Sequence, residues 1–215
     1  MRRARSLLVA SLLMGGSGLA GCATAGAPPL GEPGKKVGDQ QAETRYQTTL
    51  KKFSDHREQY ANFETDSFLG ATYQSLEFRE ARVRREAAFL ELPEASVQTR
   101  LAEERQAFDT SVEFTLGLHV NNYHFDDLDR RDSHWRIALV TGDGEVLPSL
   151  VERVGRADVN VRTFYPYMSD FWTVYRVRFP KAFPNGQPVL TGGAQTLALR
   201  MASVLTRADL KVPAE

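Results

Sequence analysis

Val112-Glu113-Phe114-Thr115-Leu116-Gly117-Leu118-His119-Val120 decides the fold class. Apolar residues hold every second position, and Glu113, Thr115, Gly117 and His119 fill the alternate ones. Successive side chains of a strand point to opposite faces, so this stretch reads as a strand with one face against a core. Working outward, Trp135, Ile137 and Leu139 begin another strand that ends at the turn Thr141-Gly142-Asp143-Gly144. Val159, Val161 and Thr163 suggest a third, and Phe171, Thr173, Tyr175, Val177 and Phe179 a long fourth, stopped by Pro180. After the turn Pro184-Asn185-Gly186, Leu197, Leu199, Met201 and Ser203 make a fifth, onto which Ala208–Val212 pairs back. Strands at regular spacing with turns between them favour a sandwich, and no strand–helix alternation of a parallel sheet is present.

Toward the N-terminus, Ala61, Phe63, Thr65, Leu69, Ala71 and Tyr73 alternate as a half-buried strand. Ser75 then opens a helical stretch, 76–90, with Leu76, Val83, Ala87 and Leu90 on one stripe and Glu77 and Glu80 near its positive end. Leu92-Pro93 breaks it, and a second helix over 94–108 turns Val97, Leu101 and Phe108 inward. The mixed Arg and Glu of this pair read as an ion-paired, solvated face. Tyr46, Leu50 and Phe53 predict a short helix over 44–53. The expected fold is therefore mainly β with an α insertion. It is an antiparallel, immunoglobulin-like β-sandwich over 45–215 that carries a helical hairpin at about 76–108.

The first residues are of another kind. Arg2, Arg3 and Arg5 precede an apolar run from Leu7 to Ala20, the pattern of a secretory signal. The run is shorter than the roughly 20 apolar residues that span a bilayer. It ends at Leu19-Ala20-Gly21-Cys22, which resembles the lipobox of bacterial lipoproteins. That resemblance implies acylation of the Cys22 thiol and removal of residues 1–21 as a signal peptide. Residues 22–44, rich in Ala, Gly and Pro, then form a flexible tether whose r.m.s. reach is roughly 25 Å for about 20 residues. The resemblance places the protein in the bacterial envelope, in the outer membrane, with a covalent lipid and no other cofactor.

The signal holds three of the 27 basic residues and none of the 27 acidic ones, so the mature chain is net acidic by three. Such a domain lacks the electrostatic footprint of a nucleic-acid binder. Cys22 is the one cysteine, which excludes an internal disulfide, a thiolate zinc site and a cysteine nucleophile in the domain.

Two clusters carry candidate chemistry. The loop Asn121–His134 gathers Asp126, Asp127, Asp129 and Asp132 with His124 and His134, a set of oxygen ligands for Ca²⁺ or, with His119 or His124, for a transition metal. Its spacing matches neither an EF-hand nor H-E-x-x-H, and Arg130 and Arg131 sit among the acids. Turn-capping carboxylates are the preferred reading. The second cluster is Phe164-Tyr165-Pro166-Tyr167-Met168-Ser169-Asp170-Phe171-Trp172. Its rings either turn a corner inside the core or form a contact ridge, with Tyr165, Tyr167 and Trp172 as the contacts. Strand alternation sets Trp172 opposite Phe171, Tyr175 and Phe179, so Trp172 is the ring expected outside. No G-x-S-x-G lies outside the signal, nothing pairs two carboxylates across a cleft, and no Gly-rich phosphate loop is present.

The stretches 71–81, 121–139 and 174–180 (ATYQSLEFREA, NNYHFDDLDRRDSHWRIAL and VYRVRFP) are also loosely similar to uncharacterised envelope lipoproteins of predatory and soil bacteria. That similarity implies no activity. The leading expectation is a non-catalytic envelope lipoprotein that binds a protein or glycan. The alternatives are a hydrolase of envelope polymers and an accessory subunit of a secretion or motility machine.

Overall fold

A computed structural model describes residues 40–61, 64–192 and 195–215, with the backbone alone for residues 60, 61 and 64–66. The signal, Cys22, the tether up to residue 39 and Phe63 lie outside the described residues.

Helix α1 (Gln40–Phe53) leads into strands β1 (Ser54–Ala61) and β2 (Glu64–Tyr73). Helices α2 (Leu76–Leu90) and α3 (Glu94–Thr110) follow, then β3 (Val112–Val120). After a 3₁₀ turn at Tyr123–Phe125 come β4 (Arg136–Thr141), β5 (Gly144–Val146), β6 (Leu150–Arg156) and helix α4 (Val159–Phe164). Strands β7 (Thr173–Phe179), β8 (Thr196–Ala202) and β9 (Arg207–Pro213) complete the chain. One sheet has the order β1-β2-β3-β7-β6 and the other β5-β4-β8-β9, and all pairings are antiparallel.

The expected sandwich with a helical insertion is the observed architecture. The helical hairpin joins β2 to β3, which pair from Ser67↔Val120 to Tyr73↔Phe114. Ser75 caps α2 by accepting from the Phe78 amide, and Glu91 in the left-handed region ends it. Leu69, Ala71, Tyr73, Phe114, Leu116, Leu118, Tyr175, Val177 and Phe179 share the inner face of the five-stranded sheet, and all are buried. Leu139, Leu197, Leu199, Met201 and Leu210 join the same core from the second sheet. Burial pushes the Tyr73 hydroxyl up to about 12. A smaller cluster of Val83, Val97 and Leu101 seals α2 against α3.

Three local expectations change, and two edge strands appear that carry no sequence signal. Residues 40–44, expected in the tether, are the first turn of α1. There Glu43 accepts from Arg85 at 2.6 Å, so the packing partner lies 42 residues away and leaves no local trace. Val159 to Thr163, expected as a strand, is helix α4, because Asp158 accepts from the Val161 amide and caps a helical turn. Strands β1 and β6 had no expectation: both are sheet edges, and an edge needs no alternating apolar face. Finally, β7 begins at Thr173, so Phe171 and Trp172 belong to the turn before it, where the Trp172 amide donates to the Ser169 carbonyl.

Candidate functional site

The loop from β3 to β4 crosses from one sheet to the other, and its acids hold that crossing together. Asp126 accepts from the Tyr175 hydroxyl at 2.6 Å through Oδ1. Its Oδ2 accepts from Thr173 at 2.8 Å and from Arg153 at 3.2 Å. Burial first, and then the Asp126 carboxylate it bonds, raise the Tyr175 hydroxyl far above its ordinary value. Asp127 accepts from Ser133 Oγ at 3.0 Å, from the His134 amide at 3.0 Å and from His134 Nδ1 at 2.6 Å. Burial alone would raise the Asp127 carboxyl, but the bonds from His134 and Ser133 outweigh it and hold the group below the usual carboxylate range. Asp129 faces Arg153 at 3.4 Å, and Asp132 is exposed. Among the described residues no three His, Cys, Asp or Glu side chains gather as a metal-ligand set. Asp127 caps the local turn through the His134 amide, whereas Asp126 accepts from side chains of β6 and β7.

The aromatic stretch forms a roof rather than a ridge. Residues 165–172 lie on the outer face of the five-stranded sheet. Tyr165 is buried beneath Gln74, whose Nε2 donates to its hydroxyl at 3.2 Å. The Tyr167 hydroxyl is 2.8 Å from Thr72 Oγ1, and burial raises it well above its ordinary value. Trp172, expected outside, is 6% exposed. Alternation does place it on the outer face, beside Val174 opposite Gly117. That face is itself covered, and Trp172 closes down on Gly70 and Gly117 between Tyr167 and Phe68. No sequence period reports such a cover.

The rings left in solvent are others: Phe171 is 69% exposed and Tyr123 75%. They line one cleft of about 150 Å³ at the end of β3, together with His119, Arg156, Asp126 and Thr173. The Phe171 carbonyl accepts from Arg156 Nη1 at 2.9 Å and lies 3.3 Å from His119 Nδ1. That contact is a hydrogen bond when Nδ1 carries a proton, since a carbonyl only accepts. Behind the cleft the rings continue, from Phe171 to His119 at 6.5 Å, to Phe68 at 5.7 Å and to Trp172 at 5.9 Å. His119, which alternation sets on the polar face of β3, stands at the rim of this cleft. Tyr123, Phe171 and Arg156 were not singled out as a site. Tyr123 inside the most polar loop was the one available cue, since an aromatic there has no strand to bury it.

A larger groove of about 350 Å³ follows the seam of α1, α2 and α3, floored by Ala42, Ala81, Ala87, Leu92 and Val97. Arg45, Arg84 and Glu94 rim it with both signs of charge.

No family model matches the chain, and no curated protein matches it. One solved structure, described as a novel protein of unknown function from Burkholderia pseudomallei, is similar at 10% identity and a TM-score of 0.39. The match covers 80% of this chain and 83% of that one.

Proposed function

We propose that the protein is a non-catalytic lipoprotein, anchored through Cys22 to the outer membrane of a bacterial envelope, whose domain binds a glycan in the cleft between Tyr123 and Phe171. The observation that carries the binding half is the exposure of those two rings. Tyr46, Tyr73, Tyr175, Phe53, Phe78, Phe114 and Phe179 are fully buried, so the fold has the capacity to take rings in. Two large rings left in water on one cleft forgo that stabilisation and present flat apolar faces to a ligand. A cleft of about 150 Å³ suits a single sugar ring better than a protein partner, which needs about 800 Å² of surface on each side. The carboxylate in the cleft, Asp126, already accepts from Tyr175, Thr173 and Arg153, which favours a positioning role over acid–base work.

The anchoring half rests on the lipobox and on the polar character of the chain beyond Cys22. No described helix is long and apolar enough to cross a membrane. A tether concentrates an anchored binder near its partners without requiring a tight site. Cys22→Ala should leave the chain unprocessed at this position and move it out of the lipidated membrane fraction. Unchanged processing and membrane partition would overturn the anchor. For the cleft, muropeptides released from purified sacculi should bind the purified protein in calorimetric titration. Tyr123→Ala/Phe171→Ala should abolish that heat; equal binding by the double variant would overturn the site.

A further inference from the structure

The charge around the cleft narrows the ligand, and we infer that the cleft selects a saccharide ring bearing a carboxylate, with Arg156 receiving the anion. This rests on the glycan-binding reading above.

Arg156 has no carboxylate within salt-bridge distance among the described residues, unlike Arg153, which pairs with Asp126 and Asp129. Asp126 lines the same cleft, but Tyr175, Thr173 and Arg153 hydrogen-bond both its oxygens, and Arg153, shared with Asp129, faces its charge. Among the described residues, Arg156 is therefore the charged group at the cleft without an ion-pair partner. Arg156 spends one N–H on the Phe171 carbonyl, and an arginine carries five in a planar fork. The remaining donors can take a carboxylate through two parallel bonds, a geometry that a hydroxyl cannot match.

Position supports the same assignment. Phe171 supplies the ring that walls the cleft and, through its carbonyl, the acceptor that holds Arg156. Its chain neighbour Trp172 is fixed against Gly70 and Gly117. The stacking surface and the cation are thus held by one residue whose backbone is packed in place, and little ordering remains to be done on binding. His119 lines the same cleft, with Nδ1 3.3 Å from the same carbonyl.

The test is titration of the purified protein with D-glucuronate, D-glucose and acetate at equal ionic strength, followed by NMR shifts of the cleft residues. Glucuronate should bind about tenfold more tightly than glucose, the increment of one charge-assisted bidentate contact. Arg156→Gln should lower glucuronate to about the level of glucose measured on the same variant, while Phe171→Ala should weaken both sugars. Equal binding of glucuronate and glucose overturns the carboxylate assignment and leaves the glycan reading standing. Acetate binding as well as glucuronate overturns the ring requirement. If neither sugar shifts the cleft residues, both readings fall.

Discussion

Gly70 and Gly117 are register partners on β2 and β3, and the indole of Trp172 rests on the pair of them. A Cβ at Gly117 would stand 2.6 Å from Trp172 Cε3 and 2.9 Å from Met168 Cε. One at Gly70 would stand 2.7 Å from Tyr167 Cε2. Glycine within a strand marks a close approach, and here it lets an aromatic roof lie flat on the sheet. Because that roof fixes residue 172, it also fixes the backbone of Phe171 and with it one wall of the cleft.

Gly117→Ala should therefore destabilise by about 1–3 kcal/mol, as overpacking does. Gly142→Ala, where nothing lies within 4 Å of the added carbon, should stay within about 0.5 kcal/mol. Trp172→Ala should lose about 3–5 kcal/mol, a large share of a small domain's stability. Urea midpoints measure all three. A harmless Trp172→Ala would return that ring to the surface.

Arg85 is a second point of high leverage. Its side chain is 2% exposed and lies over the rings of Tyr46 at 4.4 Å and Phe89 at 4.8 Å. It donates to Glu43 at 2.6 and 3.1 Å and to the Thr163 carbonyl at 2.5 Å. Removing one partner of a buried pair strands the other charge, so Arg85→Met should cost about 3–5 kcal/mol. Arg85→Met/Glu43→Met should recover much of that loss, which a double-mutant cycle on thermal unfolding would show. No recovery would mean that the pair does not couple.

Asp127 sets an acid limit. Its folded carboxyl titrates below the ordinary range, so the unfolded chain takes up the proton first as pH falls. Its stabilising contribution is complete above the unfolded value of about 3.9 and is lost as pH drops through the lower folded value. The melting-temperature gap between the native chain and Asp127→Asn should be widest near neutrality and close below about pH 4. A gap that stays constant down to about pH 2 would show that these hydrogen bonds do not favour the charged form.

Phe171→Ala and Tyr123→Ala should each leave stability within about 0.5 kcal/mol, because both rings stand mostly in water. A denaturant midpoint lowered by more than that would make the rings part of the core and remove the basis for the cleft.

Elements with one strict face can be read along the chain. Alternation from Val112 to Val120, the paired strands after Leu197, and the helical hairpin divided at Leu92-Pro93 were all legible. Each carries its own period, because one side of it meets a core and the other does not. In the 121–134 loop the local bonds of Asp127 to Ser133 and the His134 amide fit a turn-capping carboxylate, whereas Asp126 bonds the distant Tyr175, Thr173 and Arg153. The rest follows from packing between segments distant in the chain. Edge strands β1 and β6 carry no core period, and the α4 segment could alternate or coil until Asp158 capped it. Whether Trp172 or Phe171 reached solvent depended on a second layer lying over Gly70 and Gly117, whose bare backbone admits a ring that no spacing along the chain records. The cleft is decided at the same level. Tyr123, Arg156 and Phe171 come from three separate segments, and only packing brings a ring, a cation and another ring to one rim.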